Sequence, residues 1–166
     1  MRIVLKKYEL YLAAIVGIRR HIIAIGSPVF NMVGNQHYSW QTDIEAACAE
    51  MAVAKALNIY WDGSFNKFKK DGPDRPPDIE VRTTEYKNGH LILRDGDKKY
   101  SNDMRFVLVV GEAPKFYLSG WIYCHEGIRQ GEKKDDDKEW SSWWVSQDKL
   151  RPISELTERG SRSIAN

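Results

Sequence analysis

Five consecutive apolar residues, Phe106-Val107-Leu108-Val109-Val110, constrain the fold of this chain more than any other feature. Successive side chains of a strand point to opposite faces of its sheet, so an uninterrupted run of apolar residues is typical of a strand that is covered on both faces. We therefore expect a strand from Arg105 to Val110 at the centre of a sheet, with apolar layers above and below it.

Upstream of this run, after a polar connection from Lys67 to Pro77, the pattern of apolar residues changes from helical spacing to a period of two. We predict one helix from Leu5 to Ile25 and a second from Thr42 or Asp43 to Leu57, joined by a loop through Gly26, Pro28 and Gly34. Further strands are predicted over the ranges Asp78–Thr84, His90–Arg94, Phe116–Tyr123 and Ser141–Val145.

Two connections complete the predicted topology. Asn88-Gly89 favours a tight turn, so the first two strands are predicted to pair as a hairpin, and the charged run Lys133–Lys138 is predicted to be a solvated loop. The chain is thus expected to be α+β, with two N-terminal helices packed on a mixed, mostly antiparallel sheet of about five strands. Residues 1–153 are predicted to form one domain and residues 154–166 a mobile C-terminal tail.

Composition narrows the class of protein. Twenty-five Lys and Arg against 23 Asp and Glu give a formal net charge of +2, which is too small to indicate a nucleic-acid partner by itself. The two cysteines, Cys48 and Cys124, exclude a disulfide-rich scaffold and a Cys-rich zinc module, so we expect a reduced, cytoplasmic protein. The longest uncharged run of the first helix, Leu10–Ile18, is about half of the ~20 residues that a membrane span needs, so a buried amphipathic helix is predicted.

Glu50 is the first residue that could carry chemistry. Its neighbours three and four positions away on the predicted helix are Ala46, Ala47, Val53 and Ala54, so the carboxylate faces the core or a cleft. Burial of an unpaired carboxylate costs several kcal/mol. The pattern therefore predicts a partner for Glu50, either a structural cation such as arginine, a metal ion, or water at the edge of the helix.

The second candidate is the predicted strand that begins at Asp78. Alternation places Asp78, Glu80, Arg82 and Thr84 on one face. Hydrolysis with Mg²⁺ needs hard oxygen ligands for the ion and a cation for the phosphate charge, and an acid-x-base strand supplies both. The same alternation is also typical of a solvated strand face.

These two segments together resemble a known superfamily. Residues 47–57 look like the helix of PD-(D/E)XK nucleases that carries an acid ahead of small apolar residues, and Ile79–Thr84 is similar to their acid-x-Lys strand. More closely, the chain from Leu5 to Pro152 resembles a group of small phage and prophage proteins, including the stretches Trp61–Ser64 and Gly72–Asp74. The resemblance implies a restriction-endonuclease-like fold, DNA as the partner, Mg²⁺ or Mn²⁺ as the cofactor, and hydrolysis of phosphodiester bonds.

The resemblance also implies a ligand set. Glu50 and Glu80 would hold the metal, and the first aspartate of the motif could be Asp62, Asp74 or Asp78. Asp74 follows Gly72-Pro73 as in the phage-like pattern, whereas Asp78 shares the strand face of Glu80. Both are therefore kept as candidate metal ligands.

Arg82 departs from the superfamily, because it stands where those nucleases have lysine. Arginine stays protonated and cannot act as a general base, although it can stabilise an anionic phosphate. Lys87 in the predicted turn is a second possible source of the missing lysine. The predicted catalytic residues are Glu50, Asp74, Asp78, Glu80 and Arg82.

Two further functions stay open on the sequence. One is a catalytically inactive nuclease-like module that binds nucleic acid or a host protein, and the other is a phage structural or assembly protein. The run Phe65–Lys70 interleaves aromatic and basic residues and is predicted either to contact DNA or to be an ordinary exposed loop. The oligomeric state is also open, and a homodimer is compatible with the sequence.

Overall fold

The structure is a computed structural model that describes residues 1–25, 39–63, 79–99, 104–135 and 141–156. Within these ranges the chain forms helices and strands in an α+β arrangement, as predicted. The helices are α1 (Lys7–Ala24), α2 (Trp40–Leu57) and α3 (Cys124–Gln130). The strands are β1 (Arg2–Val4), β2 (Ile79–Thr84), β3 (Leu91–Arg94), β4 (Arg105–Glu112), β5 (Lys115–Tyr123), β6 (Glu132–Asp135) and β7 (Ser141–Val145). Two 3₁₀ turns, Asp95–Lys99 and Gln147–Lys149, follow β3 and β7.

The two long helices confirm the predicted N-terminal pair, with one boundary corrected. Ser39 caps α2 by accepting a hydrogen bond from the backbone N–H of Thr42 at 3.2 Å, so the helix begins at Trp40 and not at Thr42 or Asp43. The helices cross at Gly17, where a Cβ atom would lie 2.5 Å from the Cα of Ile44. The absence of a side chain at position 17 is therefore what allows α1 and α2 to pack this closely.

The strands are divided between two sheets. The first has the order β1-β5-β4-β2, with β2 parallel to β4 and the other pairs antiparallel, and the second has the antiparallel order β3-β7-β6. The predicted hairpin is therefore wrong, because β2 and β3 belong to different sheets. The turn itself is present, since the Gly89 N–H donates to the Tyr86 carbonyl at 2.8 Å, but it carries the chain from one sheet to the other.

The central strand β4 separates two apolar cores, as its uninterrupted apolar sequence predicts. Val107 and Val109 pack with α1, α2 and β5 on one side. Phe106 and Leu108 pack on the other side, against β3 and β7. Alternate side chains of β4 therefore belong to different cores, so both faces of the strand are buried. Within the sheet β4 lies between β5 and β2.

The structure differs from the sequence predictions in the charged run after α3 and at the start of the predicted C-terminal tail. The charged run predicted as a loop begins as strand β6, which pairs with β7 from Glu132 to Asp135. At the C-terminus Ile153 and Leu156 are buried in the core, so the chain is packed as far as residue 156. The predicted loop through Gly26, Pro28 and Gly34 and the remainder of the predicted tail lie outside the described residues.

The first helix is only partly the buried helix that its sequence predicts. One row of side chains, Glu9, Ala13, Gly17 and His21, is buried against the rest of the chain. Large apolar side chains on the opposite side are exposed. Among the described residues, neither α1 nor any other helix is long and apolar enough to cross a bilayer.

Candidate functional site

Glu50 lies on α2 and is held by an arginine of α1. Arg20 donates from Nη1 to Glu50 Oε1 at 2.5 Å and from Nη2 to Oε2 at 2.7 Å, which is the paired geometry of guanidinium and carboxylate. The indole Nε1 of Trp61 donates to the same Oε2 at 3.3 Å. Of the three partners predicted for Glu50, the structure thus shows the structural cation. Both members of the ion pair are half-buried, with side chains 20% and 31% exposed.

Glu80 lies on the edge strand β2 and is held by Arg82 of the same strand. Nη1 of Arg82 binds Glu80 Oε1, and its Nη2 donates to Asp97 Oδ1 at 2.8 Å. Asp97 is buried in the 3₁₀ turn after β3, where its Oδ2 also accepts the Arg94 backbone N–H at 2.8 Å. The guanidinium of Arg82 thus links Glu80 of β2 to Asp97 in the turn that follows β3.

The Arg20–Glu50 pair and the group of Glu80, Arg82 and Asp97 affect each other's pKa values. Burial raises the pKa of Glu80; the adjacent Arg82 opposes this, and the negative charges of Asp97 and Glu50 raise the pKa further. Although burial would lower it, the pKa of Arg20 is raised by its hydrogen bond to Glu50 and by nearby acids that include Glu80. We call these five residues the charged cluster; its members are Arg20, Glu50, Glu80, Arg82 and Asp97.

Partial burial of the charged cluster costs free energy of folding. Glu80 and Asp97 are only 17% and 8% exposed, and the buried Nε of Arg82 has no hydrogen-bond partner among the described residues. An unmade hydrogen bond at a buried donor costs about 1–3 kcal/mol. Perturbed, closely packed ionisable groups of this kind are concentrated at functional sites.

Three of the five predicted catalytic residues, Glu50, Glu80 and Arg82, meet in the charged cluster. Asp74 and Asp78, like the Phe65–Lys70 run, lie outside the described residues, so the structure does not place them. Asp62, the third candidate aspartate, is exposed, and so is Lys87, the candidate lysine. Lys87 lies in the turn between β2 and β3, where its carbonyl accepts from Gln147 Nε2 at 2.9 Å.

Sequence reasoning missed Arg20 and Asp97. Arg20 could have been identified by the criterion applied to Glu50. The residues three and four positions from Arg20 on the helix are all small or apolar: Val16, Gly17, Ile23 and Ala24. Asp97 had a weaker signal: it is an acid three residues after the predicted strand ends at Arg94, in the sequence Asp95-Gly96-Asp97.

The charged cluster does not by itself form a metal site within the part of the chain that the structure describes. Carboxylate oxygens are suitable ligands for Mg²⁺, and Glu50 and Glu80 supply two such groups. No group of three or more His, Cys, Asp or Glu residues in residues 1–25, 39–63, 79–99, 104–135 and 141–156 could hold a metal ion. A divalent cation would therefore have to displace an arginine and take a further ligand from the flanking sequence.

A cleft of about 460 Å³ adjoins the cluster through Arg82. Its other charged and aromatic walls are Tyr86, His90, Arg94 and Trp144. The rings of His90 and Trp144 lie 5.7 Å apart between centroids, and Lys134 Nζ is 4.1 Å from the centre of the Trp144 ring. The cleft thus combines aromatic surfaces with positive charge, which is the combination that binds nucleic-acid single strands.

Comparisons with protein-family models, with curated proteins and with solved structures find no match for this chain.

Proposed function

We propose that this chain is a phage-type, restriction-endonuclease-like domain that binds DNA and hydrolyses phosphodiester bonds with Mg²⁺ or Mn²⁺. The observation that supports the proposal is the position of Glu50 and Glu80. These acids are thirty residues apart in the chain, but α2 packs against β2, and the charge of Glu50 contributes to the raised pKa of Glu80. Mutual repulsion between partly buried carboxylates favours the binding of a cation between them.

In this mechanism the residues have separate roles. Glu50 and Glu80 would each present a carboxylate oxygen to the cation, with a further ligand from Asp74 or Asp78. When bound, the divalent ion supplies Lewis-acid stabilisation of the phosphate and lowers the pKa of water. Arg82 remains protonated, so its role is to orient the phosphate and to stabilise the negative charge that develops on it.

The ion pairs with Arg20 and Arg82 hold the acids of the charged cluster in the absence of a divalent ion. Arg20 and Arg82 are two positive charges against the three negative charges of Glu50, Glu80 and Asp97, so the cluster retains one negative charge. Arg20 and Arg82 would supply positive charge beside these carboxylates, and positive charge stabilises an anionic phosphate.

The cleft beside Arg82 is the proposed DNA contact. Arg94 is exposed and can pair with a backbone phosphate, and Trp144, His90 and Tyr86 provide surfaces on which bases can stack. Because Arg82 lines the cleft, a strand bound in it would lie beside a member of the charged cluster. We place this activity in the cytoplasm, where the buried thiols of Cys48 and Cys124 would remain reduced.

A second candidate function is supported by the same ion pairs. Glu50 accepts from Arg20 through both oxygens and from Trp61, and Arg82 joins Glu80 to Asp97. Pairs of this quality hold elements together without a metal ion. They favour a module that retains the fold, binds nucleic acid or a host protein, and does not cleave DNA.

The decisive experiment compares cleavage and binding in the same protein. Supercoiled, linear and branched DNA are incubated with the purified chain in Mg²⁺ or Mn²⁺, alongside Glu80→Gln and the exposed control Glu112→Gln. The nuclease proposal predicts metal-dependent cleavage that falls by at least about 100-fold in Glu80→Gln and is unchanged in the control. Cleavage that survives Glu80→Gln would eliminate the proposed site.

Binding measured in the same samples distinguishes the two non-catalytic functions. Salt-dependent DNA binding without cleavage, equal in the wild type and in Glu80→Gln, would favour the non-catalytic module. No DNA affinity at low salt and no Mn²⁺ binding by calorimetry would favour a structural or assembly protein.

A further inference from the structure

The outer side of α1 is an apolar surface that nothing in the described structure covers. Its large side chains are between 39% and 68% exposed, at Ile18 and Tyr11 respectively. The inner side, represented by Ala13 and Gly17, is already packed against α2. A helix that is apolar on both sides is normally buried on both.

The spacing of these residues is that of a coiled-coil seam. Six exposed side chains follow one another at alternating intervals of three and four positions, which is the a/d repeat of a heptad pattern. These residues, here called the α1 seam, are Tyr8, Tyr11, Ile15, Ile18, Ile22 and Ile25. Leu12 and Ile23 widen the exposed surface beside it. A seam of this kind packs against another helix of the same kind.

We infer that the α1 seam is a homodimer interface, in which α1 of one copy packs against α1 of a second copy. The eight exposed apolar side chains at about half exposure amount to roughly 700 Å² per chain, close to the ~800 Å² per partner of a standard interface. The seam is self-complementary, as a two-fold interface requires.

The lysines at the start of α1 favour an antiparallel pair. Lys6 and Lys7 lie at the beginning of α1, and the one acid of the helix, Glu9, is turned inward to Lys55 at 2.7 Å. A parallel pair would bring these lysines of both chains together, with helix dipoles aligned, whereas an antiparallel pair separates them by about 27 Å, the length of the helix. Tyr8 of one chain then lies beside Ile25 of the other, and Ile15 beside Ile18.

The first test is the mass of the full chain in solution by sedimentation velocity and light scattering. We expect a concentration-dependent dimer whose dissociation constant rises by at least about 100-fold in Ile15→Glu and in Ile22→Glu, since each places a carboxylate in an apolar interface. The control Tyr117→Glu changes an exposed residue of β5 and should leave the dimer intact. Circular dichroism checks that each variant is folded. A wild-type chain that is monomeric at every concentration overturns the inference.

The second test identifies the helix and its direction. An equimolar mixture of Tyr8→Cys and Ile25→Cys chains, oxidised at low concentration, should give mainly the mixed 8–25 disulfide. Dimers without any α1 cross-link overturn the inference, because they use another surface. Flotation with vesicles of phosphatidylcholine and phosphatidylserine tests the other class of partner. A monomer that floats, and stops floating in Ile15→Glu, would show that the seam binds lipid and not a second copy.

Discussion

Arg20 of α1 binds both carboxylate oxygens of Glu50 of α2, at 2.5 and 2.7 Å. The pair joins the two helices within the charged cluster. In the proposed nuclease the guanidinium and a divalent ion compete for the same carboxylate. In the non-catalytic module the guanidinium is the permanent partner.

Arg20→Met separates these two roles. Removal of one competing charge should strengthen Mn²⁺ binding by about tenfold, because a charge at contact distance near a protein surface contributes at least about 1 kcal/mol. The free energy of unfolding should fall by about 1 kcal/mol, since the pair is partly exposed and screened. Calorimetry with Mn²⁺ and urea denaturation measure the two effects, with the exposed Arg129→Met as control. Unchanged Mn²⁺ affinity would mean that Glu50 is not a metal ligand.

Glu80 should make stability depend on pH in a direction that is unusual for an acid. Its pKa in the folded chain is above the ordinary 4.5, because of burial and despite Arg82, so the folded state holds this proton more tightly than the unfolded state. The resulting stability is fully present below pH 4.5 and is lost as the pH rises through the raised pKa. Glu80→Gln should remove that loss, so its stability relative to the wild type increases with pH above 4.5.

Glu9 provides a control of opposite sign for the same urea series. Burial alone would raise the pKa of Glu9, but the hydrogen bonds from Lys55 and from the Lys6 backbone lower it. The stability from Glu9 is therefore present above its unfolded pKa of 4.5 and is lost as the pH falls. Relative to the wild type, Glu9→Gln should be destabilised near neutral pH and less so in acid. A Glu80→Gln curve parallel to that of the wild type would contradict the raised pKa.

The sequence predicted those parts of the fold that depend on local patterns. The apolar run of β4 identified the central strand, and the helical spacing identified α1 and α2. It did not predict the partners of β2 and β3, which pair with β4 and β7 and not with each other, because Asn88-Gly89 specifies a turn and not the pairing of the strands that flank it. That pairing depends on distant packing: Leu91 and Leu93 are buried with Trp143 and Val145 of β7.

The candidate site was predictable to a similar extent. Glu50, Glu80 and Arg82 stood out because each breaks or alternates with an apolar pattern in its own element. That their charges would act on one another required the packing of α2 against β2, which no local pattern specifies. Arg20 could have been found by the criterion applied to Glu50, whereas the link from Arg82 to Asp97 joins two elements through tertiary structure alone.

Gly17→Ala tests the close approach of α1 and α2. The new Cβ would meet backbone atoms, 2.5 Å from Ile44 Cα and 2.7 Å from the Asp43 carbonyl oxygen, so one helix must move. We expect the free energy of unfolding to fall by about 1–3 kcal/mol, as for other overpacked sites. Gly96→Ala is the matched control, since no atom lies within 4 Å of its added Cβ. Equal stability of the two variants in urea would mean that the helices are further apart.

Cys48 and Cys124 should be unreactive in the folded protein. Burial, with the nearby charge of Glu45, raises the pKa of Cys48 to about 11, and burial with the charge of Asp97 raises that of Cys124 to about 11. Only the thiolate reacts with disulfide reagents, so labelling at pH 8 should be at least about 100-fold slower than in urea-unfolded chain. Rapid labelling of one thiol in native protein would show that its part of the core opens readily.

The cleft beside Arg82 gives a prediction for DNA binding that does not depend on cleavage. Arg94→Ala should weaken single-stranded DNA binding for all sequences and reduce the slope of log affinity against log salt by about 1, because one phosphate contact is lost.

Trp144→Ala in the same cleft should weaken binding by about 10- to 100-fold, as expected for a lost base-stacking surface, with a smaller change in the salt slope. Fluorescence anisotropy with labelled oligonucleotides at several salt concentrations measures both quantities, with Tyr117→Ala on β5 as the control. The two variants must differ in this way for the cleft to be the DNA site. If Arg94→Ala and Trp144→Ala both bind like the control, DNA binds elsewhere on the protein and the aromatic walls of the cleft serve only to pack β3 against β7.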